Sequence, residues 1–268
     1  MPLVTRQSKI VTRYNGSVEI EFFENNHAYS LITAKGKEKL ISVTGVTSIL
    51  DKSRPLMFWQ ERITKEYLVG NITNLAVTED EDTILMIIDN AVSQHRVLKE
   101  EAANKGKQVH EWCENYIKKI DQPLPEDEQI LNGVTAFLKW IREYKVKFIE
   151  SEKLVYSKKH KFVGIMDLKA KVNGKLACVD FKTSSGVYNE MRYQVAGYMG
   201  ADSEETGDEY EERWIIQFNK ETGDFNAYKL GDFKKDYATF LALLTVKKRE
   251  QELLGDKLIP IVYEKNKQ

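Results

Sequence analysis

Cysteine is scarce. The chain has two, Cys113 and Cys178, far apart and without a C-x-x-C spacing. That excludes a four-cysteine zinc or iron–sulfur site built within this chain, so no iron–sulfur cluster is expected. Cys113 falls on a predicted helix and Cys178 on a predicted strand, which reads as two buried free thiols in a reducing compartment. Net charge is nearly absent as well: 40 Lys and Arg against 41 Asp and Glu leave -1. Without a global positive field, attraction to nucleic acid must come from a local basic patch. No apolar run approaches the length of a membrane span, and the opening MPLVTRQSKI lacks a signal-peptide core. The expectation is a soluble, cytoplasmic protein with no membrane partner. Internal repeats and low-complexity linkers are missing too, so the 268 residues hold one large domain or two small ones.

What is present centres on residues 164–184, GIMDLKAKVNGKLACVDFKTS. Asn173-Gly174 separates two alternating apolar and polar runs, a strong signal for a two-residue hairpin turn, because both residues tolerate positive φ. If Val172 faces Lys175, Leu168 falls opposite Val179 and Met166 opposite Phe181, giving one apolar face. On the other face Asp167 falls opposite Asp180. Directly opposed carboxylates, with Cβ atoms roughly 4.5–5.5 Å apart, destabilise a sheet unless something positive sits between them. Mg2+ or Mn2+ suits two aspartates, since both take oxygen ligands and keep positions for water and phosphate. Lys182 shares the face of Asp180, where an ammonium can orient water or neutralise charge on a phosphorus oxygen.

Around this hairpin the pattern predicts strands over 18–23 and 28–34, a third over 40–43, and a helix from 56 to about 69 opened by Pro55. Helical stripes follow over 83–92 and onwards through residue 119, with His110 at the rim of an apolar face and Gly106 one turn earlier. A helix over 127–148, a strand over 149–157, the hairpin, a helix over 188–200 and a second hairpin over 213–219 and 225–230 come next. Residues 202–212 read as an acidic flexible loop, 233–254 as an amphipathic closing helix, and 259–268 as a further strand. Helix, three strands, helix and two strands imply an α/β fold with a mixed sheet flanked by helices.

The pattern Gly164-Ile165-Met166-Asp167, then Asp180-Phe181-Lys182-Thr183-Ser184, then Gln194 to Tyr198 resembles the PD-(D/E)xK nuclease superfamily, most closely its RecB-type and phage-type exonuclease branch. The resemblance spans about residues 100–230. It implies a restriction-endonuclease-like core over 101–268; the helices before residue 150 exceed what such a core requires, so residues 1–100 are expected as strands and a helical arch packed on it. It also implies a metal-dependent deoxyribonuclease acting on single strands or free ends of DNA in recombination, repair or phage DNA processing. Recombination or replication proteins are the implied companions, and the cytoplasm of a bacterium or a phage's host is the implied setting.

Residue by residue, the resemblance makes Asp167, Asp180 and Lys182 catalytic. It makes His110, Asp167, Asp180 and the backbone carbonyl of Phe181 metal ligands, with Glu152 at a further acidic position near the metal. It gives Thr183, Ser184, Gln194 and Tyr198 to DNA. The chain departs from the pattern where Pro is missing before Asp167 and where Asp180 stands for the commoner Glu; neither changes the ligand chemistry.

The residues alone leave other readings open. His110 also reads as a core-edge histidine, Glu152 as a solvent-facing strand charge, and Tyr198 as a core residue covered by Gln194. Phe58, Trp59, Trp112 and Tyr116 can stack bases but at helical spacing suit a core. The same sequence also fits a catalytically inactive nucleic-acid-binding subunit of a recombination complex, or a structural cluster of Asp167, Asp180 and Lys182 unrelated to DNA.

Overall fold

Ile20 and Phe22 alternate with Glu19 and Glu21, and that period of two builds the first sheet. The computed structural model describes residues 8–254. Strands β1 (Ser8–Arg13), β2 (Val18–Phe23), β3 (Ala28–Thr33) and β4 (Gly36–Lys39) pair antiparallel in chain order. β1 is not among the expected strands, because its residues are mostly exposed and carry no alternating apolar signal. Val18, Ile20, Phe22 and Tyr29 face inward and meet Leu154, Tyr156 and Val163 of the second sheet.

The chain continues through β5 (Ile41–Ser42), α1 (Val43–Thr47), α2 (Ser53–Gly70), α3 (Ile72–Val77), α4 (Glu81–Ile117) and α5 (Glu128–Glu143). Then come β6 (Lys147–Ser157), β7 (Phe162–Val172), β8 (Lys175–Lys182), α6 (Asn189–Thr206), β9 (Glu212–Phe218), β10 (Phe225–Lys229) and α7 (Phe233–Glu252). Asp80 and Asp127 cap α4 and α5 by accepting backbone N–H groups of Thr83 and of Gln129 and Ile130.

The second sheet runs β10-β9-β8-β7, with β6 along the far edge of β7. Neighbours are antiparallel except β8 with β9, which α6 connects as a parallel crossover, and β5 with the start of β7. The expected α/β order, helix, three strands, helix, two strands, is therefore present as a mixed sheet flanked by helices. On one face, α5 and the end of α4 bury Val109, Phe137 and Trp140 against Leu168, Val179 and Phe181. On the other, α1, α6 and α7 bury Val46, Val195 and Phe240 against Phe162, Met166 and Ile215. Cys113 and Cys178 are both buried free thiols.

Two expectations change. The helical stripes on either side of residue 95 form one unbroken 37-residue helix, α4, which runs through residue 100. Residues 41–47 join the second sheet and the layer behind it. The supposed acidic loop begins as the last turn of α6. Asp202 is fully buried there, pairing with Lys153 and Lys169 at 2.8 and 2.7 Å and accepting the Tyr210 hydroxyl at 2.6 Å. A run of acids reads as solvated only when no buried lysines face it; here two strands supply them. The strand expected over 259–268 lies outside the described residues, among which no helix is long and apolar enough to cross a membrane.

Candidate metal centre

The β7–β8 hairpin turns through Asn173 at φ +50° and Gly174 at φ +88°, in the anticipated register: Val172 faces Lys175 and Leu168 faces Val179. The ladder ends there. On the same edge of β7, β5 takes over only at Phe162 and Val163, so residues 164–167 have no ladder partner on that edge among the described residues. Asp167 occupies the end of this gap. Its Oδ2 accepts the Phe181 N–H at 2.7 Å, so a carboxylate replaces the backbone acceptor that a continued ladder would have supplied.

The expected apolar face breaks at the same point. Leu168 stays beneath α5 with Phe181, but Met166 turns to the α6 side, 3.3 Å from the Cys178 sulfur. Period-two alternation cannot put residues 166 and 168 on opposite faces without an irregularity, and β6 provides two. Its register shifts between Phe148 and Glu150, and Glu152 adopts φ +48° between Ser151, which faces Leu168, and Lys153, which faces Met166. A non-glycine residue in the left-handed region within a strand is strained by roughly 1–3 kcal/mol, and such strain concentrates at functional sites.

That backbone turn directs Glu152 towards Asp167 and His110. The three residues each offer one ligand atom, all within 4.8 Å of one another, from β6, β7 and α4. His110 Nδ1 lies 3.7 Å from Asp167 Oδ2. Asp180 is outside this triad: its carboxylate is buried against Lys182, with Oδ2 and Nζ 2.5 Å apart. The two-aspartate centre expected from the hairpin becomes a His110–Glu152–Asp167 cluster with an Asp180–Lys182 pair beside it. The face change at Asp167 is the physical reason.

Burial raises the Glu152 carboxyl to about 8, with Asp167 and Glu114 adding repulsion. Burial also raises Asp167, although Lys182 and the Phe181 N–H oppose the shift. Asp180 is pushed up to about 6 by burial and by Asp167, against the pull of Lys182. Burial lowers His110 to about 4, helped by Lys182, which leaves a neutral imidazole with a free lone pair at neutral pH; the Phe181 backbone at this ring pulls the other way. Lys182 behaves differently: burial pushes it down, but Asp180 and Asp167 outweigh burial and hold it as an ammonium. Three carboxyls with raised affinity for protons beside one lysine mark a site short of positive charge. A donor set of one neutral imidazole and carboxylate oxygens fits Mn2+ or Mg2+.

Two close approaches assemble these elements. At Gly106 a Cβ would stand 2.6 Å from Thr183 Oγ1, so α4 crosses the end of β8 only because residue 106 has no side chain, and His110 follows one turn later. At Gly164 a Cβ would stand 2.6 Å from Tyr198 Cε1, so the Tyr198 ring lies against β7 only because residue 164 has no side chain.

Each of the four residues expected to contact DNA has a neighbour within the fold, and Ser184 remains exposed. Tyr198 is 5% exposed and belongs to the core. Gln194 donates to Thr47 Oγ1 at 3.0 Å, Ser184 donates to the Gly186 carbonyl at 2.8 Å, and Thr183 lies against Gly106. The helical spacing of Gln194 and Tyr198 gave their shared face but not that α1 covers it. Glu114, not among the expected site residues, lies one turn beyond His110 on α4 and acts on Glu152; its i,i+4 spacing from His110 is the signal for it in the sequence. Among the aromatics, Phe58 is exposed, whereas Trp112 and Tyr116 stack on each other at 5.5 Å.

No protein-family model matches the chain. No curated protein matches it either. Among solved structures, one described as "Crystal structure of SSO0001" is similar over 54% of this chain and 71% of its own, at 17% identity and a TM-score of 0.28. Fold and site together define a mixed α/β protein with a histidine–carboxylate cluster at a gap in its central sheet.

Proposed function

We propose that the protein is a divalent-metal-dependent deoxyribonuclease of the PD-(D/E)xK type with a restriction-endonuclease-like core, hydrolysing phosphodiesters at single strands or free ends of DNA. The observation that carries this reading is the convergence of His110, Glu152 and Asp167 within 4.8 Å, next to a half-buried lysine. His110, Glu152 and Asp167 would hold Mg2+ or Mn2+, with Asp180 adjoining. A cation bound there supplies Lewis-acid polarisation of the phosphoryl group and acidifies a water.

The chain's own residues do the rest. The Phe181 N–H fixes the Asp167 carboxylate. Asp180 holds the Lys182 ammonium at 2.5 Å, and its raised affinity for the proton suits it to stabilising charge that develops on a phosphorus oxygen rather than to acting as a base. Glu152, raised to about 8, can take up a proton near neutral pH whenever no cation competes for it.

The test is a cleavage time course with Mg2+, Mn2+ or chelator on three substrates: an end-labelled single strand, a linear duplex and a closed circular plasmid. Metal-dependent shortening of the linear substrates with an intact circle is expected. Nicking of the circle would overturn the end-dependent mode. DNA binding without cleavage in either metal would replace the enzyme by an inactive nucleic-acid-binding subunit.

A further inference from the structure

Beyond the cluster, β6 borders a second feature. Between the end of α4 and the first half of β6 lies a cavity of about 480 Å³. Ile117, Phe148 and Ile149 give it an apolar floor, and Lys118, Lys119 and Lys147 give it a cationic rim. Two charges at this wall are already cancelled: Glu150 by Lys153 at 2.8 Å, and Lys118 by Glu114. Lys119 and Lys147 are exposed and have no ion-pair partner among the described residues.

Lys147 also stands directly opposite Lys171 in the β6–β7 ladder, both exposed. Like charges in that position destabilise a sheet, and an anion at the cavity would relieve the repulsion. The negative end of α4 does not compete strongly, because its last carbonyls already accept from Lys118, Lys119 and Ile120. The cavity adjoins the cluster: Ser151 lines it, the next residue is Glu152, and the Lys118 charge is felt at Glu152. One strand residue advances about 3.3 Å, so the two places are close enough for successive units of one polynucleotide strand.

The geometry points to this cavity as a subsite for one nucleotide of a bound single strand, its base on the floor of Ile117, Phe148 and Ile149 and its phosphodiester held by Lys119 and Lys147. This rests on the reading of the neighbouring cluster as a phosphodiesterase centre. The apolar lining distinguishes the site from a plain anion patch, because a nucleotide, unlike inorganic phosphate, uses both surfaces.

The experiment is fluorescence anisotropy of labelled single-stranded oligonucleotides in chelator, across a salt series, with Lys119→Asn/Lys147→Gln beside the wild type. Asn tolerates the φ of +58° at position 119, and both positions are exposed, so the fold is kept. The double variant is expected to bind on the order of tenfold more weakly near 0.1 M salt. Its slope of log K against log salt should be shallower by about 1.4, two single-strand phosphate contacts. Equal loss with 5′-phosphate, 3′-phosphate and unphosphorylated ends supports an internal phosphodiester. Loss confined to one phosphorylated end would overturn the assignment to a nucleotide within the strand. Unchanged affinity and slope, in a wild type that binds and cleaves DNA, would overturn the subsite and leave the nuclease reading standing. Loss of binding in a wild type that never cleaves would support the subsite while removing the nuclease. A wild type that binds no single strand at any salt removes the subsite, and the cleavage time course with metal then decides the nuclease by itself.

Discussion

The Asp167 carboxylate accepts the Phe181 N–H at 2.7 Å, at the point where strands β7 and β8 separate. One oxygen of this acid is thereby committed to the sheet, and the cluster depends on how the rest of the group is oriented. Asp167→Asn keeps an amide oxygen for the Phe181 N–H, so melting should change little. Cleavage should fall by more than the roughly 10–100-fold that outer partners of a metal cost. A melting curve beside a cleavage time course separates the two, and a collapse of the melt would make Asp167 a structural residue instead.

Gly106→Ala places a Cβ 2.6 Å from Thr183 Oγ1 but 3.8 Å from Thr183 Cβ, an ordinary contact. The single variant should lose about 1–3 kcal/mol through overpacking and displace His110, weakening Mn2+ binding. Adding Thr183→Ala removes the clashing atom and should restore most of both. A double-mutant cycle read by denaturant unfolding and by metal titration checks this, and strictly additive losses would contradict it.

Glu152 carries a strained backbone for the sake of its carboxyl. Glu152→Gly should raise unfolding free energy by about 1 kcal/mol while abolishing metal binding, since glycine is at ease at φ +48°. If stability falls and metal binding survives, the backbone of β6 is not the cost of placing this ligand.

The pH dependence of the metal-free protein follows from the raised acids. Glu152 and Asp180 sit at about 8 and about 6 when folded, both above their usual carboxyl range. Their contribution to stability is therefore complete below their unfolded values and is lost as pH rises through about 6 and then about 8. Glu152→Gln cannot ionise, so at pH 9 in chelator it should melt on the order of 5 °C above wild type, with the difference vanishing near pH 4. Saturating metal should erase the advantage. Scanning calorimetry across this range is decisive, and a wild type that gains stability towards pH 9 would refute the assignment.

Asp202 neutralises Lys153 and Lys169 where α6 meets β6 and β7. Asp202→Ala leaves two buried ammonium groups without it and should cost about 3–5 kcal/mol, readable as a lower urea midpoint. An unchanged midpoint would mean that Glu150 and Asp208, each already paired with one of these lysines, suffice alone.

Much of this architecture was legible beforehand because it is local. Asn173-Gly174 fixed its own turn, and the pairing from Val172–Lys175 to Leu168–Val179 followed by counting. The counting failed at Met166 because alternation assumes an unbroken strand, and nothing in Ser151-Glu152-Lys153 announces a left-handed residue. Asp180 pairs with Lys182 beside the cluster for the same reason. Glu152, His110 and Asp167 were each singled out, but their meeting is a tertiary fact: it depends on α4 crossing β8 at Gly106. Asp202 was missed because charge density along a chain does not reveal which acid faces two lysines on other strands.

The unbroken length of α4 has a mechanical consequence for His110. From Glu81 to Gly106 the rod measures about 38 Å, and from Gly106 to His110 about 6 Å, at 1.5 Å per residue. With the close crossing at Gly106 taken as a fulcrum, a 6 Å swing of the far tip would move the imidazole by only about 1 Å. Whatever grips the tip of α4 therefore works a reducing lever, turning coarse displacement into fine adjustment of a single metal ligand.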